Sequence, residues 1–212
     1  MAFYDLEEQE QLASLKSWWQ RFGPLCLLGI GLALAALAAY QVWSWYKSEQ
    51  ATKAADLYAS LHKQVRAGDA KQARETAAAL TERYPSTGYA GLGALVAARV
   101  SFEAGELAAA KQNLQWVIDN SRDEEFKSLA RFRLAGVLLD EKQYDAALKL
   151  LDVKPEHPMM NIYSDLRGDI LAAKGDSAEA RAAYQTALEK TDAKSPYRNL
   201  IQLKIDSLGP SK

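Results

Sequence analysis

Between Arg21 and Lys47 the chain carries 25 consecutive uncharged residues, and from Leu25 to Ala39 they are apolar on every side of a helix. At about 1.5 Å per residue such a helix reaches roughly 37 Å, more than the ~30 Å hydrocarbon layer of a bilayer requires. A core helix of a water-soluble domain is shorter and keeps a polar face. Four of the five tryptophans flank the run, Trp18 and Trp19 on one side and Trp43 and Trp45 on the other. Indole rings distribute in this way at the two interfaces of a spanning helix. The run predicts a transmembrane helix over 23–46 behind a short segment over 1–22, in contact with the lipid bilayer. A cleaved signal is the competing reading, because Leu25 to Leu37 resembles an h-region and Ala36-Leu37-Ala38 fits a small-residue cleavage site. Against it stand the acidic opening MAFYDLEEQEQ, where a signal is basic, and an apolar stretch that runs past the cut site to Tyr46.

Charge does not orient the span. Lys16 and Arg21 precede it while Lys47, Lys53 and Lys63 follow, so neither side carries a marked excess of basic residues. The single cysteine, Cys26, lies within the run, which leaves nothing to oxidise in the large C-terminal part and suits a periplasmic location without demanding it. The first 46 residues hold two of the 26 basic and four of the 27 acidic side chains, leaving 24 and 23 after the span. That balance has no basic stripe of the kind nucleic acid requires.

After the span the pattern is helical and repetitive, over one domain at 47–208 with a tail at 209–212. RAGDAKQARETAAAL, EAGELAAAKQNLQWV, DEKQYDAALKLLDVK and AAKGDSAEARAAYQTAL superpose so that Ala73, Ala110, Ala147 and Ala180 coincide. Their spacings of 37, 37 and 33 residues bracket the 34-residue tetratricopeptide period. In each, a turn at Gly68, Gly105, Lys142 or Gly175 joins two helices, and the aligned alanine is expected where the helices of a pair approach most closely. Seven residues before each turn stand Leu61, Ala98, Ala135 and Gly168, of which Leu61 departs from the small-residue pattern. The sequence thus predicts an all-α fold: a transmembrane helix, then a tetratricopeptide-like α-solenoid of about four helix pairs. A nonrepetitive helical bundle is the alternative. SPYRNLIQLKIDSLG, with Ser195 as N-cap and Pro196 at the first helical position, reads as the capping helix that covers the last exposed face of the stack.

The opening DLEEQEQLASLKSWW, the single span, WSWYKSEQATKAADLYASL, DLRGDILAAKGD and the closing IQLKID occur in an order that resembles the YfgM-type ancillary subunits of the Sec translocon, over nearly all of the chain. The resemblance implies a bacterial inner-membrane protein with a cytoplasmic N-terminus and a periplasmic tetratricopeptide-like domain. It also implies two partners, the SecYEG translocon and the membrane-anchored periplasmic chaperone PpiD, and a role in passing emerging polypeptides to such chaperones. A soluble periplasmic adaptor released by signal cleavage remains the alternative.

Catalytic chemistry finds no support in the residue pattern, and no cofactor or metal is expected. His62 and His157 lack the Cys or carboxylate spacing of a metal site and read as surface or packing residues. Asp165 and Asp169, one helical turn apart, read as a solvated or groove-lining face, and Arg167-Gly168-Asp169 is a chance match to an adhesion tripeptide within a helix. Two binding features stand out. Gly31, Ala35 and Ala39 form a small-residue ridge on the span that admits close approach of another helix, unless that face simply meets lipid. The first helices of the pairs are expected to line a groove, with His62, Arg99, Phe132, Asp165 and Asp169 toward it, or merely solvated. The Lys and Asn pattern that clamps chaperone-tail carboxylates is missing from these positions.

Overall fold

The computed structural model describes residues 6–154 and 156–209. The first five residues, expected to begin the cytoplasmic segment, and residues 210–212 of the tail lie outside the described residues. All regular structure among the described residues is α-helical: α1 (Leu6–Arg66), α2 (Ala70–Arg83), α3 (Gly88–Glu103), α4 (Leu107–Asn120), α5 (Glu124–Asp140), α6 (Tyr144–Leu150), α7 (Met160–Lys174), α8 (Ser177–Lys190) and α9 (Tyr197–Ser207). Two compact units are present, one ending at Gln50 and the other beginning at Ala51. The first unit is α1 up to Gln50. The second consists of the rest of α1 paired with α2, then α3 with α4, α5 with α6, α7 with α8, and α9.

The four turns inside the pairs share one backbone solution. Gly68, Gly105 and Gly175 have φ of +75°, +76° and +97°, and Lys142 has φ +59°. The next residue in each case donates its N–H to a carbonyl five residues back: Asp69 to Gln64, Glu106 to Ser101, Gln143 to Leu138 and Asp176 to Leu171, at 2.8–3.0 Å. This left-handed closure satisfies carbonyls that a helix end otherwise leaves open. Glycine adopts it without strain, whereas an L-residue such as Lys142 gives up about 1–2 kcal/mol.

The pairs lock by a size exchange across their crossing. Ala73, Ala110, Ala147 and Ala180 are all fully buried. Four residues beyond them stand Ala77, Leu114, Leu151 and Tyr184: Ala77 shares a buried cluster with Leu61, Leu114 and Leu151 share one with Ala98 and Ala135, and Tyr184 lies against Gly168. Where the first-helix residue is Ala, the second helix supplies Leu. Where it is Gly168, the second helix supplies Tyr184, whose ring lies 2.4 Å from where a Cβ would be. In the first pair the sizes reverse, and buried Leu61 shares its cluster with Ala77. The departure of Leu61 from the small-residue row is therefore compensated within its own pair, since close packing fixes the sum of the two volumes rather than either one.

Two features break the repeat. Helix α6 spans only Tyr144–Leu150, and none of the described residues from Leu151 to Met159 is helical. Lys154 precedes Pro155 and is pushed away from helical angles, and Pro158 has no N–H to give. At the other end α9 buries Ile201 and Ile205 against Leu171, Ala183, Tyr184 and Ala187. Arg198 donates to the carbonyls of Leu188 and Thr191 at 2.5 and 2.9 Å, closing the C-terminus of α8. Ser195 Oγ accepts from the Tyr197 N–H at 3.3 Å, and Pro196 is the N-cap rather than the first helical residue, one position later than the sequence expectation.

Candidate interaction surfaces

In the first unit the apolar side chains from Leu25 to Tyr46 point outward: Leu25, Leu32 and Leu37 are each more than 60 % exposed. Water does not tolerate so long an uninterrupted apolar surface, while lipid does. Lys47 Nζ sits 3.5 Å from the centroid of the Trp43 ring at the C-terminal end of the run. At the other end Trp18 contacts Trp19 and Phe22. Both clusters suit the headgroup level, where one end of the ring is wet. Gly31, Ala35 and Ala39 are exposed on this helix, and no atom lies within 4 Å of a Cβ built on Gly31. Gly23 differs: Trp19 covers it at 3.3 Å.

In the second unit the five residues expected in one groove separate. Those ten residues before each turn, Tyr58, Leu95, Phe132 and Asp165, are turned toward neighbouring helices. Tyr58 meets Tyr89 of α3 at 5.6 Å, and Phe132 stacks on Tyr163 of α7 at 6.2 Å. His62 lies edge-on to Tyr58 at 4.6 Å. Asp165, 5 % exposed, accepts from Tyr197 Oη at 2.5 Å and Lys204 Nζ at 2.7 Å, both on α9. Asp169 accepts from Tyr184 Oη at 2.8 Å and from the same Lys204 at 2.9 Å. The two aspartates therefore hold the capping helix instead of lining an open groove. The reason is charge: one ammonium bridges two carboxylates a helical turn apart and each carboxylate accepts from one phenol, while Asp165 Oδ1 is left without a hydrogen-bond partner among the described residues.

These contacts fix the ionisation of the cluster. Burial, the hydrogen bond to Asp169 and nearby carboxylate charge push the Tyr184 phenol far above its ordinary range, and Tyr197 follows for the same reasons with Asp165 as its acceptor. For Lys204, burial alone disfavours the ammonium, but the hydrogen bonds and charges of Asp165 and Asp169 outweigh it and raise the pKa.

Of the expected groove residues, Arg99 faces a cavity of about 470 Å³ bounded by α3, α4, α5 and α7. Ala98, Ala110, Leu114, Val137 and Leu166 give it an apolar floor, with Phe102 and Leu139 at its sides. Arg133, Gly136 and Asp140 of α5 complete the wall. Arg99 shares its charge with exposed Glu103 at 3.7 Å. Arg133 reaches only the Leu95 carbonyl, at 3.5 Å, and among the described residues no carboxylate stands within 4.0 Å of it. Burial, then the charge of Arg99, lowers the Arg133 pKa. Sequence reasoning passed over Arg133, Phe102, Gly136 and Leu166. One signal was available: Gly136 occupies the register of His62, Arg99 and Asp169 in the middle of a helix, where glycine is about 0.5–1 kcal/mol worse than alanine.

The other histidine stabilises the loop that follows α6. The Met159 N–H donates to His157 Nδ1 at 3.1 Å, which leaves the proton on Nε2, facing Ser128 Oγ at 3.0 Å. Tyr163 Oη donates to the Ser128 carbonyl at 2.7 Å. The three form a packing cluster between α5 and α7, and among the described residues no group of three or more His, Cys, Asp or Glu is arranged to hold a metal ion.

Residues 16–210 match the tetratricopeptide repeat-like domain family. The chain is 34% identical over 205 residues to the ancillary SecYEG translocon subunit of Neisseria gonorrhoeae, covering 96% of this chain and 98% of that one. The chain belongs to this family. The ancillary SecYEG translocon subunit of Escherichia coli K12 is 30% identical over 210 residues, with 98% and 99% covered, and that of Haemophilus influenzae 27% identical over 203 residues, with 93% and 99% covered. The family likeness thus extends across the apolar helix as well as the repeats. A helix long and apolar enough to cross a membrane, near the N-terminus, fits a single-pass inner-membrane member of the family.

Proposed function

We propose that the protein is a non-enzymatic, single-pass subunit that holds a tetratricopeptide-like interaction domain beside the SecYEG translocon, with its N-terminus cytoplasmic and the domain periplasmic. There it receives emerging polypeptides and passes them to a PpiD-like, membrane-anchored chaperone. The observation that carries this reading is the likeness to ancillary SecYEG translocon subunits over the span and the repeats together. A fixed anchor raises the local concentration of the domain at the channel exit, so contacts too weak to persist in solution become useful. The domain's polar networks support a scaffold rather than chemistry, because the aspartates best placed for acid–base work are committed to Lys204.

Photocrosslinkers placed singly at Ala35 in the span and at Arg99 in the domain test the reading in cells. Crosslinks from Ala35 to a translocon subunit and from Arg99 to a chaperone or a nascent chain are expected. Protease added to spheroplasts should digest the region after Lys47 and spare the N-terminal segment. A protected domain, or crosslinks from Arg99 only to cytoplasmic proteins, would reverse the orientation and remove the handover role.

A further inference from the structure

We propose that the cavity bounded by α3, α4, α5 and α7 seats an extended polypeptide segment in which one carboxylate adjoins a large apolar side chain. The apolar side chain enters over Leu114 and Leu166, the carboxylate meets Arg133, and the segment's backbone crosses Gly136. The proposal rests on the reading of the domain as an interaction module and specifies what that module recognises.

Three observations converge on it. The cavity, about 470 Å³ and floored by aliphatic carbon, falls in the ~300–1,000 Å³ range of functional pockets. The second is Gly136. Gly88 also has open space around it but is the first residue of α3, and the other glycines deeper in the domain's helices are explained by their neighbours: Phe126 stands 3.2 Å from a Cβ on Gly91, Leu80 2.7 Å from one on Gly93, and Tyr184 2.4 Å from one on Gly168. On Gly136 a Cβ meets nothing within 4 Å. A helix-interior glycine with open space above it, at the wall of an apolar cavity, leaves room for another chain's backbone to approach. The third is charge. Arg133 is exposed at the cavity wall, lies near Arg99, and has no carboxylate within 4.0 Å among the described residues. A planar guanidinium in that setting matches a carboxylate in a bidentate pair. Asp140 in the same wall and Glu103 beside Arg99 repel further negative charge, so a single acidic residue fits and an acidic run does not.

The test uses the full chain in nanodiscs of uncharged lipid and fluorescence anisotropy of capped, labelled Gly/Ser peptides with a central Phe-Glu pair. Binding is expected to weaken about tenfold or more when Glu becomes Gln or Phe becomes Ser, the scale of one charge-assisted hydrogen bond or one buried ring. An uncapped peptide ending in Phe separates a terminal from a side-chain carboxylate, and preference for either supports the site. Arg133→Met and Gly136→Leu should each lose about tenfold in affinity, on the same scale, while Lys149→Ala, on exposed α6 surface, leaves it unchanged. Gly136→Ala gives the sharper readout: the protein should melt at a higher temperature and yet bind more weakly. Equal binding of the Phe-Gln peptide, unchanged affinity in Gly136→Leu, or no binding to wild type up to ~1 mM peptide overturns the proposal. Co-purification of the translocon with the same wild-type preparation keeps that failure distinct, because loss of co-purification as well would bring down the broader interaction reading.

Discussion

Gly168→Ala sets two physical effects against each other. In an unconstrained helix interior the change is stabilising by about 0.8–1 kcal/mol. Here the new methyl would lie 2.4 Å from Cδ1 and Cε1 of Tyr184 and 2.8 Å from Cζ, about an ångström inside normal contact. The ring cannot easily yield. It is 3 % exposed, packs with Leu171, Ala183 and Ile201, and is tied by its hydroxyl to Asp169. Overpacking of this kind costs about 1–3 kcal/mol. With a displacement this large and a ring held at both ends, the upper part of that range applies, so the net loss is about 2 kcal/mol. For a domain of this size that lowers the melting temperature by about 4–8 °C. The double variant Gly168→Ala/Tyr184→Leu reproduces the Ala–Leu arrangement of the second and third pairs, so it should lose less than the two single changes added together. A coupling of about 1–2 kcal/mol is expected from residues in direct contact. Thermal unfolding of the detergent-solubilised chain, followed by circular dichroism, measures all four corners of the cycle. A single variant as stable as wild type or more so, or a cycle with no coupling, would refute the size-exchange account of pair packing.

Ala147→Leu should cost about 1–3 kcal/mol by forcing α5 and α6 apart, and an unchanged urea midpoint would show that this alanine is not at a tight crossing. Lys204→Met should destabilise by about 3 kcal/mol, because buried Asp165 loses its counter-charge, and a loss no larger than for an exposed lysine would contradict the latch. The folded-state pKa values of Lys204, Tyr184 and Tyr197 are raised, so their contribution is complete below the ordinary values near pH ~10 and is lost as pH climbs toward the folded ones. Urea midpoints should accordingly not change with pH near neutrality through these groups and should fall in strong alkali, with a smaller fall in Lys204→Met; identical alkaline profiles would exclude the lysine from the linkage. On the span, Gly31→Leu and Ala35→Leu should preserve membrane insertion yet reduce recovery of the translocon in mild detergent, since Leu is as apolar as Ala in lipid but separates two backbones. Recovery at the wild-type level would leave the span as a tether alone.

The sequence by itself determined what depends on local chemistry and period. The 25-residue uncharged run requires an apolar environment wherever it folds, and the glycine turns with their aligned alanines define four helix pairs because turn geometry and helix crossing act within about 35 residues. Lys142 could be read as a turn only because its neighbours repeat, and its φ of +59° shows how strongly register overrides residue preference. What tertiary structure decided was the direction each exposed-looking side chain takes. Asp165 and Asp169 have the spacing of a solvated helical face, and only the arrival of Lys204, 39 and 35 residues later, turns them into a latch in which Asp165 is buried and Asp169 half-buried. Phe132 and Arg133 are adjacent, yet one stacks on α7 and the other walls the cavity with Arg99, because a helix turns about 100° per residue and each faces a different neighbour. The register marks Gly136 as unusual, but its meaning depends on its surroundings: Gly168 is small because Tyr184 presses on it from within, and Gly136 is small beside open space. Periodicity fixes which residues share a face of one helix, but the partner of that face comes from a remote part of the chain, and packing and charge there select among faces that the sequence leaves equivalent.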